Sequence, residues 1–218
     1  MNGGGRSLDY LEKLQPHHLD VLKEIGNIGA GHAATALSQL LGKQIDMSVP
    51  NVRLALLSDL PEQVGGSEKE VAAIFLRIEG EAPGSMFFIT DITDSENLVR
   101  QLTNNESFQM KEPPYEELGI SAFKEVANIL AGSYLSSFAD FTKLNMQPSV
   151  PGISIDMIGA ILSHGLILLS EVSDYAIIID TEIKKVDEEN RKVTGHFLYL
   201  PDPDSFEVIF GALGVGME

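Results

Sequence analysis

The chain contains no cysteine. That removes a thiol nucleophile, a cysteine zinc site and a disulfide framework, and leaves a reducing cytosol as a comfortable setting. Basic residues are scarce. Lys and Arg number 15 against 32 Asp and Glu, a net charge of −17. So few cations argue against nucleic acid and against an anionic membrane, because both are held by Lys/Arg patches. Long apolar runs are missing too. The longest, around Ile158–Leu169, is broken by Gly159, Ser163, His164 and Gly165 and is too short to span a bilayer. The opening M-N-G-G-G-R-S lacks the apolar stretch of a signal peptide, and residues 1–6 read as a flexible N-terminus. The expected location is therefore cytoplasmic. What remains is ordinary globular composition, 44% hydrophobic and 22% charged, in a chain long enough to bury a good core.

The chain is organised around D-V-L-K-E-I-G-N-I-G-A-G, Asp20 to Gly31. At ~100° per helical residue, Asp20, Glu24 and Asn27 fall in a stripe roughly 60° wide. Gly31, Thr35 and Ser38 continue the stripe with small side chains. Leu22, Ile25, Ala36 and Leu40 lie opposite and are expected to be buried. A smooth strip beside an acid and an amide lets another protein's backbone come close.

The same text recurs 101 positions later. Lys23, Glu24, Asn27, Ile28, Ala30 and Gly31 become Lys124, Glu125, Asn128, Ile129, Ala131 and Gly132. Ser48-Val49-Pro50 becomes Ser149-Val150-Pro151, so the spacing Asn-x22-Pro is kept in both copies. Asp20 is matched by Ser121. Phe123, Val126, Leu130 and Phe141 form the expected buried side of the second helix. One constant offset over this length reads as an internal duplication.

In order, the pattern predicts a short turn at 8–14 and a helix from Pro16 to Leu41, stopped by Gly42. Strands follow at 44–50 and 52–58 with a turn at Pro50-Asn51, then a loop at 59–69 and a hairpin of 71–78 with 85–90. Asp94-Ser95 caps a helix over 96–102. Residues 103–116 form the seam, and a second helix spans 117–143. Strands at 144–150 and 152–156, a turn or short helix at 157–163, a hairpin of 175–184 with 193–200 and a capped helix at 206–213 repeat the plan. The acidic run 187–189 reads as a hairpin tip. The predicted fold is α+β: a single domain over 1–218, internally duplicated as 8–110 and 111–218, with pseudo-two-fold symmetry, a shared central sheet and two long helices side by side.

The doubled spacing Asp/Ser-x3-Glu-x2-Asn-x22-Pro resembles the signature of the CheC/CheX/FliY family of chemotaxis phosphatases. The resemblance covers about residues 8–215, and the segments E-I-G-N-I-G-A-G-H and A-N-I-L-A-G-S-Y are close in wording as well. Two copies in a chain of this length resemble the CheC branch, whereas the CheX branch carries one. The resemblance implies hydrolysis of the aspartyl phosphate on the response regulator CheY. It implies that Glu24 and Glu125 pair with the receiver's active-site lysine, and that Asn27 and Asn128 hold the attacking water. It further implies that the chain has no metal or cofactor of its own, with Mg2+ supplied by the phosphorylated receiver. Phosphoryl transfer needs positioning and charge neutralisation more than covalent help, which suits these residue types. Asp20 and Ser121 would be accessory. Pro50 and Pro151 would set backbone geometry.

Asp156-Met157-Ile158-Gly159-Ala160-Ile161-Leu162 has no close match in the first half, where Arg53–Leu60 stands instead. The resemblance implies that this segment docks the receptor deamidase CheD, through Asp156, Met157, Ile158, Gly159, Ile161 and Leu162. The competing reading is a buried connecting turn. Other signals are weak. His17 and His18 point ~100° apart on a helix and make a poor metal pair, better suited to surface or capping roles. His32 reads as structural. Gly26 to Gly31 lies mid-helix with no preceding strand, so it is not a phosphate loop. The alternative to an enzyme is a non-catalytic adaptor for CheD or for phosphorylated CheY; the intact Glu/Asn pairs favour the enzyme.

Overall fold

The structure is a computed structural model and describes residues 16–110, 113–168, 175–185 and 192–214. The expected turn at 8–14, the flexible start and the acidic tip at 187–189 lie outside the described residues. Helix α1 runs Pro16–Leu41 and is followed by β1 (Ile45–Ser48) and β2 (Val52–Leu56). A 3-10 turn (Leu57–Asp59) leads into the one-turn α2 (Leu60–Gln63). Then come β3 (Glu70–Gly80), β4 (Gly84–Asp91) and α3 (Ile92–Thr103). The second half repeats this order as α4 (Glu117–Thr142), β5 (Met146–Pro148), β6 (Gly152–Met157), α5 (Ile158–Leu168), β7 (Tyr175–Lys185), β8 (Lys192–Pro201) and α6 (Pro203–Ala212).

Both long helices stop where the backbone turns left-handed, at Gly42 (φ 61°) and Lys143 (φ 62°). Gly80 (φ 116°) opens the β3–β4 turn, and a Cβ there would collide with Asn145 O, so glycine is required. The caps differ from expectation. Helix α3 begins at Ile92, and Asp94 accepts from Thr194 N–H (3.0 Å) on β8 instead of from its own helix. Helix α6 likewise begins at Pro203, with Asp202 as N-cap.

One sheet holds the described strands of both halves, in the order β1-β7-β8-β4-β3-β5. The central pair, β4 with β8, joins the halves antiparallel, with Phe87 opposite Leu198. The strands after each long helix cross over: β1 and β2 pair with β7, while β5 and β6 pair with β3. The turn expected at Pro50-Asn51 is a break within one edge strand. Between Ser48↔Glu182 and Val52↔Ile179, three residues face two, which is a β-bulge. The same bulge recurs at Ser149–Pro151 against Leu76 and Arg77. A proline has no N–H to donate and so fits such a gap.

The helices α1 and α4 pack against each other and, with α3 and α6, cover one face of the sheet. Gly29 permits the approach, because a Cβ there would stand 3.0 Å from Tyr134 Cα. His32 Nδ1 and Ser137 Oγ meet at 3.3 Å across the two helices. Tyr134 hydroxyl bonds Thr181 on β7 (2.9 Å), and burial pushes its pKa up to about 12. The other face is a smaller core of Leu60, Phe87, Ile158, Leu162, Ile178 and Leu198, capped by α2 and α5. The seam is clamped by buried Glu96, which accepts from Met110 N (2.8 Å) and from Arg100 (2.9 Å). Among the described residues no helix is long and apolar enough to cross a membrane.

Ala36, expected in the core, is only half-buried, and two further expected core positions fail in parallel. Leu40 is 47% exposed and its counterpart Phe141 is 51% exposed. Both sit in the last turn of their helix, where the helical period continues but the packing does not. His18, expected at the surface, is buried.

Candidate functional site

The polar stripe of α1 faces solvent as its spacing dictates. Asp20, Glu24, Gly31 and Thr35 are exposed, while Asn27 and Ser38 are half-buried. On α4 the equivalents Ser121, Glu125 and Asn128 are exposed. Neither Glu24 nor Glu125 makes an ion pair or a side-chain hydrogen bond among the described residues. An exposed, unpaired carboxylate on a rigid helix costs little to keep and remains free for a partner's cation. The small strip is open as well: a Cβ added at Gly31 or Gly132 would meet nothing within 4 Å.

The two asparagines differ. Asn27 Oδ1 accepts a hydrogen bond from Val49 N–H at 3.0 Å, inside the first bulge. Val49 is 2% exposed and packs on Gly26. Asn128 makes no side-chain hydrogen bond among the described residues, and Val150 is 90% exposed. In the second copy Ser149 holds the bulge: its N–H donates to Arg77 O (2.8 Å), and its Oγ accepts from Arg77 N–H (2.9 Å). Pro50 is exposed and Pro151 half-buried, each at a bulge and outside the helix stripe. Sequence reasoning missed Val49 and Ser149, although the constant Asn-x22-Pro spacing carried the signal for the first.

Each bulge is backed by an ion pair between the halves. Arg53 of β2 meets Asp180 of β7, opposite the first bulge, and His196 Nδ1 lies 2.7 Å from the same carboxylate. Burial alone would push Asp180 up, but the bonds from His196 and Arg53 outweigh it and hold the carboxyl below its ordinary range. Arg77, opposite the second bulge, forks onto Asp202 and also reaches Ser85 (3.1 Å).

The segment after β6 divides sharply. Ile158, Ile161 and Leu162 are buried in the second core, and Gly159 lies against Ser67, whose carbonyl accepts its N–H (2.9 Å). Only Asp156, Met157 (45% exposed), Ala160 and Ser163 face solvent. A partner would therefore meet the strand end and one side of α5. No three or more His, Asp or Glu cluster in a metal-holding arrangement among the described residues.

With this geometry in place, the chain can be set beside known proteins. A profile of the CheC-like family matches residues 18–53 and 118–155, which are the two helices with their bulged strands. The CheY-P phosphatase CheC of Bacillus subtilis (strain 168) is 45% identical over 204 residues, covering 94% of this chain and 97% of that protein. The flagellar motor switch phosphatase FliY of the same strain is 28% identical over 160 residues, covering 71% of this chain and 41% of FliY. The crystal structure of Thermotoga maritima FliY superposes with a TM-score of 0.70 at 20% identity, covering 92% of this chain and 98% of that one. The FliM middle domain from H. pylori gives 0.64 at 7% identity, covering 91% and 99%. At these identities the structural likenesses speak for the fold alone.

Proposed function

The chain belongs to the CheC-like family, and from that premise we propose that it hydrolyses the aspartyl phosphate of the response regulator CheY. The observation that carries the reading is the doubled pair Glu24/Asn27 and Glu125/Asn128 on the polar helix stripes, with neither carboxylate paired among the described residues. The 45% identity to a CheY-P phosphatase supports it over nearly the whole chain.

In this reading Glu24 or Glu125 binds the ammonium of a receiver lysine by a charge-assisted hydrogen bond. Asn27 or Asn128, one turn further along, reaches the phosphoryl group. Its amide both donates and accepts, so it can fix a water in line with the phosphorus–carboxylate bond. Water oxygen then bonds phosphorus, the acyl oxygen leaves as the receiver's aspartate carboxylate, and the water's proton ends on the released phosphate. Mg2+ comes with the receiver and neutralises phosphoryl charge. Asp20 and Ser121, one turn before the glutamates, are accessory contacts at the rim. Such chemistry belongs in the cytoplasm, where a response regulator works.

A second partner is the deamidase CheD, docking at the exposed part of the divergent segment, Asp156 and Met157. An exposed methionine at a strand end supports this, being adaptable and apolar. The CheY and CheD surfaces use different elements, so one chain can serve both.

The test is loss of phosphate from phosphorylated CheY with wild type, Asn27→Ala, Asn128→Ala and the double variant. The double variant is expected to return the rate to that of CheY alone while still binding. If wild type adds nothing to the rate, even with CheD present, the chain is an adaptor.

A further inference from the structure

The Asn-x22-Pro spacing is the trace of a bond. The bulge takes Val49 out of the ladder to β7, so its N–H needs another partner. Asn27 Oδ1 supplies one at 3.0 Å. The bond acts in both directions. It closes the bulge onto the helix, where the Val49 side chain packs on Gly26. It also fixes the Asn27 amide, with the oxygen turned to the bulge and the two N–H donors turned away. An amide held in one rotamer loses little further freedom when a substrate arrives. One acceptor lone pair is used and a second remains.

The second copy shapes its bulge without its asparagine and leaves the valine N–H to solvent. Ser149 bonds both main-chain groups of Arg77, the bulge valine stands out in solvent, and Asn128 is released. We infer that the Val49 N–H is a positioning group for Asn27, so that the first copy presents a preset amide and the second a free one. This deepens the phosphatase reading and rests on it for its effect on turnover.

The test deletes the one N–H. Replacing Val49 by its α-hydroxy acid turns that amide into an ester, in full-length protein carrying Asn128→Ala. Two readouts are taken: 15N relaxation of the Asn27 side-chain amide in the free protein, and kcat and KM with phosphorylated CheY. The expected result is a loss of Asn27 order to the level of Asn128 in wild type, with kcat down about tenfold and KM unchanged. The same replacement at Val150, in an Asn27→Ala chain, changes neither Asn128 order nor kcat. Pro50→Gly keeps the N–H but loosens the bulge, and lowers Asn27 order in the same direction. The inference is overturned if Asn128 is as ordered as Asn27 in the free protein, if the ester leaves Asn27 order unmoved, or if order falls while kcat holds. A wild type without turnover would sink the phosphatase reading separately, and the relaxation arm would still decide the positioning.

Discussion

The two halves hold the same kink with different hands. In the first, a helix side chain reaches down to the strand: Asn27 to Val49. In the second, the strand holds itself: Ser149 to Arg77. A duty carried by the helix asparagine in the first copy is carried by the strand's own serine in the second. The helix interface shows a similar exchange. Gly29 and Tyr134 meet closely, whereas their counterparts under the 101-residue shift, Leu130 and Ala33, carry the large and small side chains the other way round. Symmetry of sequence spacing therefore coexists with an asymmetric division of labour.

The comparison breaks most visibly if the glutamates are removed. Glu24→Ala with Glu125→Ala is expected to weaken binding of phosphorylated CheY by about ten- to a hundredfold, the worth of a charged hydrogen bond, read by titration. The two single variants then show whether the halves contribute equally. Next in size, Gly29→Ala is expected to cost about 1–3 kcal/mol of stability, because the added Cβ meets backbone that cannot yield, and denaturant melts measure it. Then comes the sharpest contrast. Asn27→Ala is expected to lose about 1 kcal/mol and Asn128→Ala less than about 0.5, because only the first strips a partner from a main-chain N–H. Ser149→Ala mirrors Asn27→Ala in the second half.

A pH series sharpens the same comparison at the ion pairs. The Asp180 carboxyl is held below its ordinary range, so it stabilises the fold above its unfolded pKa, ~3.9, and loses that contribution as pH falls through the folded value. Asp180→Asn is thus expected to be less stable than wild type at neutral pH, with the gap closing on acidification. The smallest effects belong to Gly31→Ala and Gly132→Ala. Both point into open space, so stability is expected to stay within about 0.5 kcal/mol. Any loss of receiver binding there would come from the contact face.

Local chemistry made much of this fold legible. Gly42 and Glu117 marked helix ends to the residue, and the hairpin strands lie within a residue or two of their expected bounds. The exposed stripe on each long helix followed from period alone. What was not legible was long-range. Nothing within residues 44–58 says that they pair with the other half's β7. Pro50-Asn51 carries the ordinary signal of a turn, and a bulge uses the same residues. Leu40 and Phe141 obey the helical period past the point where anything packs on them. Ile158, Ile161 and Leu162 formed an apolar cluster that sequence could place on a surface or in a core; the second face of the sheet claims them.

The kinks have one more consequence. An open sheet ends in two rims of unpaired main-chain groups, and a rim that stays straight invites a stranger's strand to continue it. Here both rims are cut in the middle, leaving segments of four and five residues on one side and three and six on the other. Each cut carries a proline, which cannot donate to an incoming strand. The feature that spaces the signature thus also keeps neighbouring molecules from zipping together, so a concentrated solution of this acidic protein has little reason to form fibrils.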